Sequence, residues 1–249
     1  MVRIKIKTKD FDFQKTFKSG LFYFFYTEKP TRVVYFNKKF ISLSFEQNGE
    51  DLVVDISEKI REKEKELLKK RIIYCLGLEE DLSGFYEICK RDKVLVNYLD
   101  KIVGTKIISA FSDFESLVGA IISQNNSYKN YRKQMRRVYK KLNFVRENYK
   151  NENLKVFRLG YKIPYLVHLA NNFGESKIKD IKGIGNYSIN LYRIFQKRDY
   201  NSFYMDCLTE KIMREEYRIE KDFEEGSVKL WGKYRGLAEA YLQRFFEEK

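Results

Sequence analysis

The sequence predicts an α+β fold, in which an N-terminal antiparallel β-sheet domain packs on a larger all-helical body. Apolar residues alternate with polar ones up to about residue 57, the period of strands, and then recur every three or four positions, the period of helices. Only two prolines and no Gly/Ser-rich stretch interrupt the 249 residues, so we expect no flexible linker. We place the sheet domain with its connecting helix at 1–77 and the helical body at 78–249.

The first part carries the signals of paired strands. Ile4 and Ile6 alternate with lysines, and the apolar residues of 41–46 alternate with serine and glutamate. Asn48-Gly49 predicts a tight hairpin, because both residues tolerate the positive φ of such turns. We therefore expect residues 1 to about 57 to form strands of an antiparallel sheet.

Helices are predicted from residue 57 onward. Ser57 is the candidate N-cap of the helix that connects the two parts, and Gly77 is its candidate C′ residue. The later helices have start and stop signals of their own. The predicted caps are Asp81, Ser112 or Asp113, and Ser227, and the predicted stops are Gly104 and Gly174.

The chain is strongly basic. Its 49 Lys and Arg against 35 Asp and Glu give a formal charge of +14, which favours a polyanionic partner such as nucleic acid or an anionic membrane. No apolar run approaches the roughly 20 residues of a membrane span, and the start has no apolar signal core. We therefore expect an intracellular protein.

The sequence excludes several kinds of catalytic site. His168 is the only histidine, so there is no mechanism that needs a Ser/His pair or several imidazoles. Cys75, Cys89 and Cys207 are too widely spaced to bind zinc or an iron–sulfur cluster. Any chemistry must use carboxylates, lysines or water, and we expect no metal site. We assign His168 a structural role only.

Most of the positive charge lies in one segment. Between Lys129 and Lys162 there are twelve basic and two acidic residues, a net +10. Tyr131, Met135 and Val138 recur there at helical spacing, so one face is predicted to be buried while the basic side chains project from the other. Such clusters suit phosphates, and a merely solvated face is the alternative. A membrane-surface helix fits less well, because the core needs the apolar stripe.

A glycine-containing turn narrows the choice of partner. Residues 178–195, IKDIKGIGNYSINLYRIF, predict two amphipathic helices joined by Lys182-Gly183-Ile184-Gly185. The two glycines allow a sharp turn and bring backbone N–H groups at the start of the second helix towards a phosphate. An ordinary helix turn with glycine caps is the alternative interpretation.

This segment resembles the helix-hairpin-helix motif of the DNA glycosylase superfamily, in which a loop and an essential active-site aspartate follow the hairpin. Phe203-Tyr204-Met205-Asp206 stands at about the matching separation. Three further segments resemble parts of 8-oxoguanine glycosylases and related enzymes: the duplex-inserting helix turn, the wedge loop and the N-terminal sheet domain. They are Ser123-Gln124-Asn125-Asn126, Leu159-Gly160-Tyr161-Lys162, and Phe13 to Phe22.

The resemblance implies that Asp206 is catalytic. A carboxylate there could stabilise the positive charge that develops on the deoxyribose as the base leaves, and orient or deprotonate the attacking water. Helix N-capping is the alternative role, and the two roles can coexist. Bifunctional members carry a lysine two residues after the second hairpin glycine, where this chain has Tyr187. Because a phenol cannot form an imine, we expect hydrolysis without efficient strand cleavage.

The resemblance leaves two substrate branches open. The four-cysteine cluster of the endonuclease III-like branch is absent, which leaves the 8-oxoguanine and alkylpurine branches. Asn125 and Tyr161 are oxoguanine-like, whereas Tyr187 and Leu208 are alkylpurine-like. An aromatic pocket attracts cationic alkylated purines, which are good leaving groups, so we favour damaged purines of this kind. The candidate residues of the base pocket are Tyr187, Glu239 and Gln243.

Two of the matched residues are expected to enter the DNA. Asn125 would fill the gap left by the flipped nucleotide, and Tyr161 would wedge into the base stack. A helix-capping Asn125 and a merely exposed Tyr161 are the alternatives. The other predicted DNA-binding residues are Asn126, Lys162, Lys182, Gly183, Gly185, Arg132 and Arg136.

We therefore predict a monomeric base-excision-repair DNA glycosylase that binds duplex DNA, flips out a damaged purine and hydrolyses its N-glycosidic bond. No cofactor is expected, apart from a monovalent cation that backbone carbonyls of the hairpin could hold. Two alternatives stay open. One is an 8-oxoguanine glycosylase/AP lyase that uses another lysine such as Lys182, and the other is a non-catalytic protein that binds damaged DNA.

Overall fold

A computed structural model of the chain describes residues 2–20, 24–150 and 152–246, and it has the predicted α+β architecture. The strands form one antiparallel sheet in the order β1-β4-β3-β2. Asn48 pairs with Asp51, so β3 and β4 form the hairpin predicted at Asn48-Gly49. The strands are β1 Val2–Lys7, β2 Thr31–Phe36, β3 Lys39–Asn48 and β4 Asp51–Ile56.

A short helix, α1 (Phe13–Ser19), lies where only strands were predicted. The carboxylate of Asp12 caps it by accepting a hydrogen bond from Lys15 N at 2.9 Å. Phe13 and Phe17, one helical turn apart, stack on each other, and Phe13 also stacks on Phe45 of the sheet. The prediction of continuous strands is wrong here because this four-residue spacing buries aromatic rings in a helix. Of the matched segment that ends at Phe22, residues 21 and 22 lie outside the described residues.

The connecting helix, α2 (Glu62–Leu76), begins later than predicted. Arg61, not Ser57, occupies the N-cap position, and Gly77 ends the helix in the left-handed conformation, as predicted. The preceding residues instead follow the sheet, since Ser42 N donates to a carboxylate oxygen of Glu58 at 2.9 Å. This tertiary contact outweighs the capping preference of Ser57.

Helices make up most of the rest of the described chain. Ser112 caps α5 as predicted, whereas Ser227 is wrong as a cap because it lies within α10. Gly104 and Gly174 follow α4 and α7 with positive φ values, as expected of helix stops. The helices are α3 Ser83–Arg91, α4 Leu99–Ile102, α5 Asp113–Ser123, α6 Tyr128–Leu142, α7 Lys162–Asn172, α8 Asn186–Leu191, α9 Cys207–Glu215, α10 Phe223–Trp231 and α11 Arg235–Phe246.

Buried apolar residues form two clusters. One lies between the sheet, α1 and α2, and also takes in Ile108 and Phe111 from the segment before α5. The other fills the helical body, and Tyr26 joins it from the N-terminal part. The predicted boundary at residue 77 stays a prediction, because residues on both sides of it contribute to each cluster.

A buried ion pair connects the sheet to the helical body. Arg32 of β2 donates to Glu115 of α5 at 2.8 Å, and both side chains are only 2% exposed. Glu115 also accepts a hydrogen bond from Tyr26 OH at 2.7 Å. The Arg32 guanidinium lies 4.6 Å from the ring of Tyr26 and 4.7 Å from that of Tyr139. The aromatic faces thus stabilise a cation that hydrogen bonds satisfy only in part.

We predict that Glu115→Gln lowers the free energy of unfolding by about 3–5 kcal/mol, because it leaves the Arg32 charge buried without its partner. Urea denaturation measures the change. Asp55→Asn is the control, since Asp55 pairs with Arg3 at the surface, and it should leave the stability almost unchanged. Equal effects of the two substitutions would contradict the assignment of Arg32–Glu115 as a structural connection.

Candidate active site

A cleft of about 1010 Å³ opens between the end of α5, the turn before α8, the start of α9, and α11. Five of the described residues that line it were singled out from the sequence for chemistry or for entering the DNA. They come from segments far apart along the chain, so the fold brings the predicted motifs to one place. These residues are Asn125, Tyr161, Tyr187, Asp206 and Gln243.

The predicted hairpin differs from expectation in its first half. Ile178–Asp180 is a single 3₁₀ turn and not an amphipathic helix, because only Ile181 and Lys182 separate Asp180 from Gly183 and leave no room for further turns. The second half is α8, which continues as a π-helical turn, Tyr192–Gln196. Gly183 has φ +90°, and a Cβ there would lie 2.3 Å from Cγ of Tyr165. This position therefore requires glycine.

Two side chains fix the hairpin against its neighbours. Gln124, directly after α5, donates to Gly183 O at 2.7 Å and to the Ser188 hydroxyl at 2.9 Å. The imidazole Nδ1 of His168 on α7 accepts a hydrogen bond from Lys182 N at 3.2 Å. His168 thus has the structural role that was predicted. The side chain of Lys182 is exposed, and Lys182 does not line the cleft.

Asp206 lies at the N-terminus of α9 with its two carboxylate oxygens in different environments. Oδ1 caps the helix by accepting from Thr209 N at 2.8 Å, and it also accepts from Gln243 Nε2 at 3.0 Å. Among the described residues, none donates a hydrogen bond to Oδ2. Since Asp206 is half-buried and lines the cleft, one oxygen holds the helix and the other is available to a ligand.

The loop before Asp206 is held on two sides. Asn190 of α8 donates to Phe203 O at 2.7 Å. On the other side, Gly236 N of α11 donates to Tyr200 O at 2.9 Å, and a Cβ on Gly236 would lie 2.3 Å from Ser202 O. Because only glycine allows this close approach, α11 and the hairpin together set the position of the carboxylate.

Aromatic rings form one wall of the cleft beside Asp206. The ring of Tyr187 meets that of Tyr204 edge to face, with centroids 5.4 Å apart. Burial raises the pKa of the Tyr187 phenol to about 12, against the opposing effect of Ser123. Tyr187 is therefore neutral near pH 7. Tyr204 was part of the matched motif but was not predicted as a pocket residue, since nothing in its sequence context marks it as facing a cleft.

Glu239 does not belong to the base pocket, which corrects the prediction. It is 2% exposed and lies behind the cleft wall, where it accepts hydrogen bonds from Thr209 Oγ1 at 2.9 Å and Tyr204 N at 3.2 Å. Burial raises its pKa well above the ordinary value. Gln243, one turn further along α11, does line the cleft. The spacing of four puts both residues on one helix face but does not tell which reaches the surface.

Asn125 and Tyr161 meet at the outer end of the cleft. Asn125 has φ +45°, which turns the chain after α5, and its Nδ2 donates to Tyr161 OH at 3.0 Å. Tyr161 OH lies 3.4 Å from Gln124 O, to which it donates. The side chain of Tyr161 is 50% exposed. The two residues predicted to enter the DNA thus stand side by side.

Of two predicted DNA contacts that make internal hydrogen bonds, one is corrected and the other stays a prediction. Lys162 is 4% exposed and donates to Ile122 O at 2.7 Å, so its ammonium group satisfies a carbonyl at the end of α5 and does not reach the surface. Asn126 lines the cleft, and its amide donates to Ile122 O and to Gln134 and accepts from Asn130, so its contact with DNA stays a prediction. Both residues brace the α5–α6 connection.

The basic segment forms the predicted two-faced helix. Tyr131, Met135 and Val138 of α6 are buried, while most of its lysines and arginines are exposed or half-buried. Arg132 lies over the ring of Tyr128, which lines the cleft, at 5.7 Å. Arg136 forms an ion pair with Glu28 at 2.5 Å.

Comparison with solved structures finds many similar chains, among them the following three. MBOgg1, in complex with a low affinity DNA ligand, has a TM-score of 0.77 and 18% identity over 100% of this chain and 96% of its own. The Clostridium acetobutylicum 8-oxoguanine glycosylase/lyase, in complex with DNA containing cytosine opposite 8-oxoG, has 0.73 and 19% over 98% of each chain. The 3-methyladenine DNA glycosylase from Archaeoglobus fulgidus has 0.76 and 17% over 99% of each.

These likenesses show that the chain has the DNA glycosylase fold over nearly its whole length, which confirms the resemblance at the level of fold. No family model matches the chain, and no curated protein sequence does. Within the described ranges, no three His, Cys, Asp or Glu side chains come together as a metal site. No helix in the described part is long and apolar enough to cross a membrane.

The two hairpin glycines differ in their surroundings, and this gives a matched test. We predict that Gly183→Ala lowers the free energy of unfolding by about 2–4 kcal/mol, the combined cost of left-handed strain and overpacking against Tyr165. Gly185→Ala should change stability little, because Gly185 has φ −98° and nothing within 4 Å of an added Cβ. Thermal unfolding of both variants measures the difference, and similar melting temperatures would contradict this geometry.

Proposed function

We propose that the protein is a base-excision-repair DNA glycosylase, which flips a damaged purine out of duplex DNA and hydrolyses its N-glycosidic bond. The observation that carries this proposal is the available Oδ2 of Asp206 in a cleft formed beside the glycine hairpin. The similar solved chains support it, since they include an 8-oxoguanine glycosylase/lyase and a 3-methyladenine DNA glycosylase.

The surface around the cleft is suited to duplex DNA. The exposed cations of α6 neutralise phosphates without reading the base sequence. The N–H groups near Gly185, at the start of α8, form the positive end of the helix dipole and also attract a phosphate. Asn125 and Tyr161 fill the space that the flipped nucleotide leaves. Damage recognition then rests on the cleft, because the phosphate contacts carry no information about the base.

The carboxylate of Asp206 does the chemistry. Extrusion of the nucleotide brings its sugar to the cleft, where Oδ2 stabilises the positive charge on the ring as the base departs. The same oxygen orients the attacking water and accepts its proton. Because Oδ1 is held by Thr209 N and Gln243, the carboxylate keeps one orientation during both steps.

Water, and not a lysine amine, is the nucleophile in this proposal. Tyr187 occupies the position of the Schiff-base lysine, and its neutral phenol cannot form an imine. None of the described residues that line the cleft is a lysine, and Lys182 therefore lies outside it. Both facts count against the alternative of a lyase that uses another lysine.

The proposed substrate is a purine with an alkylated, positively charged ring. Tyr187 and Tyr204 offer aromatic faces and edges to such a base, and cation–π attraction favours it over a neutral one. The amide of Gln243 is bonded at both ends, so it has less capacity to read a neutral lesion by hydrogen bonds. A cationic base leaves readily, which matches a cleft in which Asp206 is the one aspartate or glutamate among the described lining residues.

A monovalent cation at the hairpin remains part of the proposal. Two hairpin carbonyls already accept hydrogen bonds, Ile181 O from Ile184 N and Gly183 O from Gln124. Each carbonyl oxygen has a second lone pair, with which these residues would hold a weakly bound cation that attracts a phosphate. No step of the reaction depends on it.

We predict that the protein releases the base from duplexes carrying a single alkylated purine, such as a 3-methyladenine analogue, faster than from duplexes with hypoxanthine, 8-oxoguanine or uracil. Asp206→Asn should lower the rate of base release at least about a hundredfold. It removes the charge that stabilises the sugar, and it removes the carboxylate that accepts the proton of the attacking water. DNA affinity should be kept. Single-turnover base release and a gel-shift titration measure the two quantities.

Asp12→Asn is the matched control, because Asp12 also caps a helix with Oδ1 but lies outside the cleft. It should release bases at the wild-type rate. Wild-type activity of Asp206→Asn would contradict the catalytic assignment. Binding of damaged duplexes without base release from any of them would favour a non-catalytic damage-binding protein, and fastest release of 8-oxoguanine would favour the oxoguanine branch.

We further predict that borohydride traps no covalent complex between the protein and DNA during base release, and that strands break only after alkali treatment. The reason is that no described lysine lines the cleft. Tyr187→Lys is the variant to compare with the wild-type protein, since it places an amine beside Asp206, at the position where bifunctional members of the superfamily carry their lysine. Efficient trapping of the wild-type protein would overturn the hydrolytic mechanism.

A further inference from the structure

Four residues beside Asp206 form a closed hydrogen-bonded ring. Tyr204 OH donates to Gln243 Oε1 at 2.7 Å, and Gln243 Nε2 donates to Thr209 Oγ1 at 2.6 Å. Thr209 Oγ1 donates to Glu239 Oε1 at 2.9 Å. The ring closes where Glu239 Oε2 accepts from Tyr204 N at 3.2 Å. Two residues come from α11, one from α9 and one from the loop before Asp206.

Gln243 is the member of this ring that also touches the carboxylate. Its Nε2 donates to Asp206 Oδ1 at 3.0 Å, in addition to the helix-capping bond from Thr209 N. One donor alone leaves a carboxylate free to rotate about its Cβ–Cγ bond. Two donors on the same oxygen, from a helix backbone and a side-chain amide, fix the plane of the group and therefore the direction of Oδ2.

The same amide holds the aromatic wall. Gln243 Oε1 accepts from the phenol of Tyr204, whose ring packs edge to face with that of Tyr187. A single planar group thus spans the distance between the carboxylate and the pocket wall. Because the amide is rigid, movement of the wall is transmitted to the carboxylate.

Glu239 stabilises the ring from behind and does not line the cleft. It is buried, and no described cation forms an ion pair with it. Burial raises the pKa of Glu239 well above its ordinary value, and the nearby charge of Asp206 acts in the same direction. Among the described residues that line the cleft, Asp206 is the one aspartate or glutamate.

We propose that Gln243 is a positioning residue, which sets the direction of Asp206 Oδ2 relative to a base held against Tyr204. This inference rests on the proposed glycosylase function. It gives Gln243 a different part from the one expected of it, since the amide orients the catalytic group and is not mainly a reader of the base. The variants that test it keep the size of the side chain and change only its hydrogen bonds.

Gln243→Met removes all three hydrogen bonds of the amide, those with Tyr204, Asp206 and Thr209, at nearly constant volume. In single turnovers on the duplex that the wild-type protein cleaves fastest, the maximal rate should fall about 10- to 100-fold, as expected for a misplaced catalytic group. The enzyme concentration for half-maximal rate should stay within about twofold, because Asp206 and Tyr204 do not carry the phosphate contacts. Gln14→Met, on the exposed face of α1, is the matched control and should behave as wild type.

Tyr204→Phe removes only the phenol that binds Gln243. It should lower the maximal rate by a smaller factor, and the double variant with Gln243→Met should be no slower than Gln243→Met alone, because both changes break one connection. Losses that multiply would overturn the coupling between the wall and the carboxylate. An unchanged maximal rate in Gln243→Met would overturn the positioning role.

Gln243→Glu gives a signature that a merely structural role does not produce. Near pH 7 its carboxylate repels Asp206, so the rate should lie at or below that of Gln243→Met. On acidification the introduced carboxyl takes up a proton and can donate to Asp206 again, so its rate should rise relative to Gln243→Met. Glu239, Tyr187 and Tyr204 are present in both variants, so the ratio of the two rates mainly reports the introduced carboxyl. A ratio that does not change with pH would contradict the proposal.

The failure of this inference is separate from the failure of the proposed function. If the wild-type protein releases no base from any duplex, the glycosylase function fails and the positioning role fails with it. If the wild-type protein is active, Asp206→Asn is inactive and Gln243→Met keeps the wild-type rate, only the positioning role is wrong.

Discussion

The buried ion pair of Arg32 and Glu115 is the contact on which the positions of the other parts of the structure depend. It fixes the sheet against the first turns of α5, a helix that is buried along most of its length. The other end of α5 carries Gln124, which holds the hairpin through Gly183 O, and Asn125, which stands at the mouth of the cleft. A shift of the sheet relative to α5 would therefore be transmitted along this one rigid helix both to the hairpin and to Asn125.

The parts of the fold and site that the sequence predicted are those encoded locally. The change of hydrophobic period placed the sheet and the helices, and the glycine hairpin followed by Asp206 marked the candidate active site. The misplaced features depend on contacts between distant segments. Whether Lys162 reaches solvent or Glu239 faces a cleft is decided by neighbours on other helices. Helix α1 was missed because its two-turn signal lies among aromatic residues that suit strands equally well.

Under the proposed function, Asp206 combines helix capping and catalysis in one side chain because a carboxylate has two oxygens. Oδ1 caps α9, so the backbone of the helix is part of what holds the carboxylate in place. This arrangement removes the conflict between capping and catalysis, which would exist for a serine or threonine cap with its single oxygen. It also means that loss of the charge and loss of the cap are separable, since asparagine retains a capping oxygen while lacking the negative charge.

The hydrogen bond between Asn125 and Tyr161 has a consequence for the thermodynamics of lesion search. The bond joins both side chains in one arrangement in the free protein, so part of their rotamer entropy, about 0.5–1.5 kcal/mol for each fully immobilised side chain, is lost before DNA binds. Under the proposed function, the free energy of opening an undamaged base pair is then set almost entirely by the duplex itself. Weakly paired or distorted nucleotides would be sampled first, before any contact with the pocket distinguishes one base from another.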